Sequence, residues 1–178
     1  MRWSNDLSEG RCHANKMKSA PPILAVDLRF GGRHQELARV RIVVVDDFKP
    51  WRHTIVSILE EDSALEVVGG ASDGLEAVQM CGELQPDVVV LDVRLPKLDG
   101  FEAARQIREV SPNSKILFVS VIRSQEAMRE ALRIGAAGYI AKEDALRELL
   151  PAVRAAVADE EFLRFAILPD PETELPEE

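Results

Sequence analysis

Five residues of this chain could do chemistry together: Asp46, Asp47, Asp92, Ser120 and Lys142. Each follows a short apolar run. RIVVV, 41–45, precedes the acidic pair, DVVVL, 87–91, precedes Asp92, KILFV, 115–119, precedes Ser120, and GYIA, 138–141, precedes Lys142. Taken singly, each has an ordinary explanation. An acid after a strand usually caps a helix or forms a turn, and a serine or lysine there serves as a turn residue or solvated cation. Taken together they are harder to dismiss. Three carboxylates held in one place repel and raise one another's pKa, so the set needs a cation. Oxygen-only ligands suit Mg²⁺, which keeps several waters and binds through one or two carboxylates. Beside such an ion one carboxylate becomes a nucleophile toward phosphorus. Phosphoryl transfer needs charge stabilisation more than acid–base chemistry. Lys142 can pair with one phosphoryl oxygen and the Ser120 hydroxyl can hydrogen-bond another. Asp92 follows the central strand and is the expected nucleophile. No His or Cys stands at a strand end, so no nucleophile–base triad is present.

These residues meet only if particular elements position them. Continuous apolar runs of four or five residues read as strands buried on both faces. LEVVGGA, 65–71, adds one more. Between the strands, apolar residues recur at helical spacing. Trp51, Ile55, Ile58 and Leu59 follow Pro50, which suits a first turn. Val78, Cys81 and Leu84 line a second helix, with Ser72 or Asp73 as cap and Glu76 reaching back. Asp99 and Glu102 repeat that pattern, and Phe101, Ala104 and Ile107 line the next helix. Ser124 caps a helix holding Ala127, Ala131 and Ile134. Leu146, Leu149, Leu150, Val153 and Val157 define the last helix. Pro151 falls inside it and predicts a kink or a late start. Strand–helix alternation five times over argues an α/β, doubly wound parallel sheet with right-handed connections. The architecture expected is flavodoxin-like (βα)5, strand order 2-1-3-4-5, in which the carboxyl ends of strands 1, 3, 4 and 5 share one crevice.

The 178 residues include 46% apolar and 30% charged side chains, which suits a soluble globular protein. No apolar run approaches the roughly 20 residues that cross a bilayer, and MRWSNDLSEG lacks a signal-peptide core. A cytoplasmic location follows by default. Residues 1–39 carry 7 Lys/Arg against 4 Asp/Glu, leaving 15 against 27 for the remainder. Such an acidic body is a poor nucleic-acid surface. Residues 1–39 are polar and aperiodic and are expected to be a disordered extension. Within them ILAVDLRF, 23–30, reads as a short strand or partner-binding segment, and Met17 as an alternative start. Residues 40–158 form the expected domain, and 159–178 an acidic, Pro-rich, disordered tail. Cys12 and Cys81 form no CxxC and have no histidine at metal-ligand spacing, so neither a disulfide framework nor a metal knot is expected. Cys81 reads as core.

Over residues 40–158 the sequence resembles the receiver domain of two-component response regulators. The resemblance lies in VVVDD, 43–47; ASDGLEAV, 71–78; VVVLDVRLPKLDGFEAARQIR, 88–108; ILFVS, 116–120; and GAAGYIAKEDALRELLPAVRAAV, 135–157. GAAGYIAK and the last helix resemble the branch that usually carries a LuxR-type helix-turn-helix. The resemblance implies that Asp92 accepts phosphate from a sensor histidine kinase. It implies a Mg²⁺ site made by Asp46, Asp47, Asp92 and the Arg94 carbonyl, phosphoryl contacts from Ser120 and Lys142, and an aromatic switch at Tyr139 that turns inward when Ser120 moves. From the residues alone, Tyr139 reads as a half-buried strand aromatic with its hydroxyl in water. Three departures stand out. Glu143 replaces the proline many receivers have after the lysine, so no cis peptide is expected there. Arg94 places a cation beside the phosphoryl site. Only about 20 residues follow the last helix, an acidic stretch in which no helix-turn-helix is legible.

The expectation is a phosphoacceptor signalling protein of a two-component phosphorelay, not an enzyme, with output to a protein partner or to a second copy on phosphorylation. Two alternatives keep the fold. One is a constitutive docking module, and the other is a transcriptional regulator whose DNA-binding effector is on another chain. An aspartyl-phosphate hydrolase similar to haloacid dehalogenase-like phosphatases fits poorly, because those carry DxD on the first strand.

Overall fold

The computed structural model describes residues 39–159 and 162–163. The expectations for residues 1–38, Cys12 among them, and for the tail from 164 onward lie outside the described residues. The elements alternate as expected: β1 Val40–Val45, α1 Lys49–Leu59, β2 Leu65–Ala71, α2 Gly74–Leu84, β3 Val88–Leu91, α3 Gly100–Val110, β4 Lys115–Ser120, α4 Gln125–Ile134, β5 Gly138–Ala141 and α5 Ala145–Val157. The strands pair in parallel in the order β2-β1-β3-β4-β5, the flavodoxin-like arrangement. A two-residue strand β6, Phe162–Leu163, adds to the β5 edge, within the stretch read from sequence as unstructured tail.

The apolar runs are continuous because both faces of the sheet are covered. Side chains alternate between faces along a strand. Val43, Val45, Val89, Leu91, Ile116, Phe118 and Tyr139 pack with Ala77, Cys81, Ala104, Ile107 and Ala131 of α2, α3 and α4. Ile42, Val44, Val88, Val90, Leu117, Val119 and Ile140 pack with Ile55, Leu59, Leu149 and Val153 of α1 and α5.

The caps follow sequence logic with adjustments. Asp73, not Ser72, caps α2 by accepting from the Glu76 N–H, and Glu76 returns its carboxylate to the Ser72 N–H and hydroxyl. Asp99 caps α3 through the Phe101 and Glu102 N–H groups, but the Glu102 carboxylate turns to Arg105 and Gln106. Ser124 caps α4 by accepting from Ala127. The late start expected from Pro151 is not seen. After a 3-10 turn at Lys142–Asp144, α5 begins at Ala145 and runs through Pro151 to Val157. Ala145, Leu149, Ala152, Val153 and Ala156 are all buried, and that packing outweighs the hydrogen bond proline removes.

Candidate functional site

The carboxyl ends of β1, β3, β4 and β5 are adjacent, and the five expected residues converge there. The backbone fixes each carboxylate first. Asp46 N–H donates to the Ala71 carbonyl (3.1 Å) and Asp92 N–H to that of Val45 (3.0 Å), so both acids continue the sheet pairing by one residue. Asp46 Oδ1 accepts the Phe48 N–H at 2.9 Å, which closes the turn into α1. Asp92 Oδ1 accepts the Arg94 N–H at 3.3 Å. Behind Asp92 the chain returns so closely that a Cβ on Gly100 would overlap the Asp92 carbonyl oxygen. Only glycine lets α3 start there.

Asp46 and Asp92 are 3% and 4% exposed, whereas Asp47 is open to solvent. Each of the three offers a carboxylate oxygen within 4.8 Å of the others. Lys142 reaches in from the end of β5. Its Nζ donates to Asp46 Oδ2 at 2.5 Å and to Asp92 Oδ2 at 2.6 Å. Burial pushes the Asp46 carboxyl above its ordinary value, although Lys142 and the Phe48 N–H both oppose that. Burial alone would lower the Lys142 ammonium. Its hydrogen bonds to Asp46 and Asp92 outweigh that and hold it above its ordinary value. Three carboxylates against one ammonium leave an excess of negative charge among hard oxygen donors. That donor set fits a divalent cation of the Mg²⁺ type.

Ser120 does not follow β4 as expected; it is the last residue of the strand, paired with Ala141, and fully buried. Its Oγ accepts the Ile122 N–H at 3.3 Å. Tyr139 also departs from the residue-level expectation. It is 0% exposed, and its hydroxyl donates to the Ile122 carbonyl at 2.7 Å rather than to water. Burial and the nearby Asp92 charge raise its phenol above the ordinary value, against a Ser120 hydrogen bond that lowers it. Its ring sits 6.1 Å from that of Phe118, which lies 5.1 Å from Phe101. Ser120 and Tyr139 are therefore tied to one segment, the loop between β4 and α4. The Arg94 side chain is exposed. The peptide between Lys142 and Glu143 is trans.

Several neighbours were not legible. Arg123, in the β4–α4 loop, pairs with Glu143, just after Lys142. Lys97, at φ 64°, pairs with the α2 cap Asp73 and ties the loop after Asp92 to α2. Trp51, read only as a core position, has its ring centroid 5.8 Å from Lys142 Nζ. Partners in the first two pairs lie 20 and 24 residues apart, so no local spacing could reveal them.

Comparison with known proteins agrees with this geometry. Residues 42–154 match the family model of the response regulator receiver domain. The chain is 36% identical over 124 residues to the response regulator GacA of Pseudomonas viridiflava, covering 70% of this chain and 58% of GacA. It is 39% identical over 131 residues to protein-glutamate methylesterase/protein-glutamine glutaminase 1 of Geobacter sulfurreducens, covering 67% of this chain and 36% of that enzyme. Among solved structures, a LuxR-family two-component response regulator from Aurantimonas sp. SI85-9A1 superposes with a TM-score of 0.67 at 32% identity, over 70% of this chain and 89% of that one. A doubly wound sheet with this acidic crevice defines the class, and the chain belongs to the response regulator receiver family, in which phosphorylation of an aspartate is characteristic. It spans little more than half the length of the GacA relative. In the methylesterase the matched part is about a third of the protein, so the receiver fold occurs there beside an enzyme without being one.

Proposed function

We propose that this chain is the phosphoacceptor of a two-component phosphorelay, with Asp92 as the acceptor. The observation that carries this is the ammonium of Lys142 held between the carboxylates of Asp46 and Asp92. In the reaction an Asp92 oxygen attacks phosphorus, a P–O bond forms, and the bond to the donor breaks with its electron pair leaving on the donor. When the donor is a sensor histidine kinase, that bond is P–N. Asp46, Asp47, Asp92 and the Arg94 carbonyl would hold Mg²⁺, which would supply positive charge against the phosphoryl oxygens. Lys142 shifts from Asp46 toward a phosphoryl oxygen, and the Ser120 hydroxyl reaches another. Because Ser120 and Tyr139 both bond to Ile122, a moved Ser120 re-sets the β4–α4 loop. The output face is then α4, β5 and α5, offered to a protein partner or a second copy. The location consistent with this role is the cytoplasm, and among the described residues no helix is long and apolar enough to cross a membrane.

The test is direct. The protein is incubated with Mg²⁺ and acetyl phosphate, and intact mass is recorded. We expect one phosphoryl group, lost in Asp92→Asn and without Mg²⁺. No mass gain, or gain that persists in Asp92→Asn, overturns the assignment. The LuxR-family likeness favours a second output, a DNA-binding effector supplied outside the matched region. A gel shift that appears only when a separate DNA-binding chain is added with this one would argue for it.

A further inference from the structure

Trp51 occupies the first turn of α1, where its spacing with Ile55 and Ile58 makes it look like one more core residue. Three observations set it apart. It is only partly buried, unlike Ile55 and Leu59. Its ring lies within cation–π range of Lys142 Nζ, at 5.8 Å to the centroid. Its Nε1 is buried and has no hydrogen-bond partner. A buried indole normally finds a partner for its N–H, and leaving it unpaired is costly. Leucine or methionine would pack at this position without that cost. The polar end of the indole therefore does not explain the residue, whereas its face does.

The face matters because Lys142's other partners are conditional. Its ammonium here rests on Asp46 and Asp92. Both carboxylates belong to the acidic cluster, and Asp92 is also the residue that becomes an acyl phosphate. Each event of the cycle thus weakens a contact that now holds Lys142. The ring is uncharged and offers no ligand atom to a cation, so neither event removes its face from Lys142. We propose that Trp51 is a positioning residue for Lys142, its ring face keeping the ammonium over the crevice when Asp46 and Asp92 are otherwise engaged. This rests on the assignment of Asp92 as phosphoacceptor.

The size of the effect follows from the contact. Cation–π attraction ranges from weak at exposed sites to about thirty-fold in an equilibrium when desolvated. The Lys142 side chain is 16% exposed, which puts it between those limits. We expect Trp51→Met, which fills space without a ring, to slow phosphorylation by acetyl phosphate about three- to ten-fold. Trp51→Phe, which keeps a ring, should recover most of the rate. Rate alone would not separate positioning from general packing, so the side-chain NMR signals of Lys142 are followed in the full chain with and without Mg²⁺. In the wild type the Lys142 methylene protons next to the ammonium should be shifted upfield by the ring, and remain so with Mg²⁺ added. The shift should vanish in Trp51→Met and persist in Trp51→Phe. If Trp51→Met folds poorly, the wild type and Trp51→Phe spectra still decide. Unshifted Lys142 protons in the wild type, or a shift abolished by Mg²⁺, overturn the proposal. So does a Trp51→Met protein phosphorylated as fast as the wild type. A wild type that takes no phosphate refutes the Asp92 assignment instead, while the NMR result still reports on the contact.

Discussion

Replacing Lys142 with methionine separates what holds the crevice together from what it does. In the wild type one ammonium is hydrogen-bonded to two buried carboxylates. Without it, Asp46 and Asp92 face each other with no cation, and Asp46 is already pushed above its ordinary value by burial. Removing one member of a buried ion pair costs about 3–5 kcal/mol. Protonation sets a ceiling, since neutralising a carboxyl of ordinary pKa near 4 at pH 7 costs about 4 kcal/mol. Asp46 starts from a raised value, which lowers that ceiling, and water screens the open side where Asp47 lies. We therefore expect Lys142→Met to lose about 2–3 kcal/mol in urea unfolding without metal at pH 7. Mg²⁺ should then act in the opposite direction. The ammonium competes with the cation for the same two oxygens, so the variant should bind Mg²⁺ more tightly than the wild type. A ten-fold gain would return about 1.4 kcal/mol at saturating metal. Phosphorylation should nevertheless be slower, because the phosphoryl group loses its protein cation. The reasoning is refuted if metal-free stability changes by less than about 0.5 kcal/mol, or if Lys142→Met binds Mg²⁺ no better than the wild type.

Gly100→Ala should destabilise by about 3 kcal/mol in the same urea assay, because the overlap is with the Asp92 carbonyl and the Val93 Cα, backbone that cannot yield like a side-chain end. Tyr139→Phe should cost about 1 kcal/mol for the lost bond to Ile122; amide exchange in the β4–α4 loop should quicken, and unchanged exchange there would detach Tyr139 from that loop. The Asp73–Lys97 pair gives a pH signature. The hydrogen bond from Lys97 holds the Asp73 carboxyl below its ordinary value, so its stabilisation is present above about pH 3.9 and fades as pH falls through the lowered value. Bonding to Asp73 in turn raises Lys97, whose contribution fades only above its ordinary range. Lys97→Met should flatten the acid limb of a stability–pH curve, and an unchanged limb would exclude the pair as its source. Burial pushes the Cys81 thiol up to about 12, so a disulfide reagent should leave it unlabelled in the native protein at pH 8 and label it in urea.

What could be read from the sequence, and what could not, divides along a physical line. Strand interiors were legible because a sheet covered on both faces needs uninterrupted apolar runs, and helices because one buried face repeats every three or four residues. The acids were legible for the same reason, since a charge that ends such a run must lie at the sheet edge, and the strand order brings those edges together. Pro151 brings no late start because propensity is local, while the burial of Leu149, Ala152 and Val153 that overrides it is not. For Tyr139 it is the residue-type reading, a hydroxyl in water, that departs from the structure. Its alternation in β5 places it on a covered face, but only the fold shows the Ile122 carbonyl waiting for its hydroxyl. Trp51 is the sharper case. On α1 its position satisfies the helical stripe, so the pattern was complete without any further role. Its relation to Lys142 exists only because α1 and α5 pack on the same face of the sheet, which brings the start of one helix beside the turn that begins the other. A residue that fits a pattern can therefore conceal a second role more thoroughly than one that breaks it, and only the fold, by placing a cation against the ring, makes that role testable.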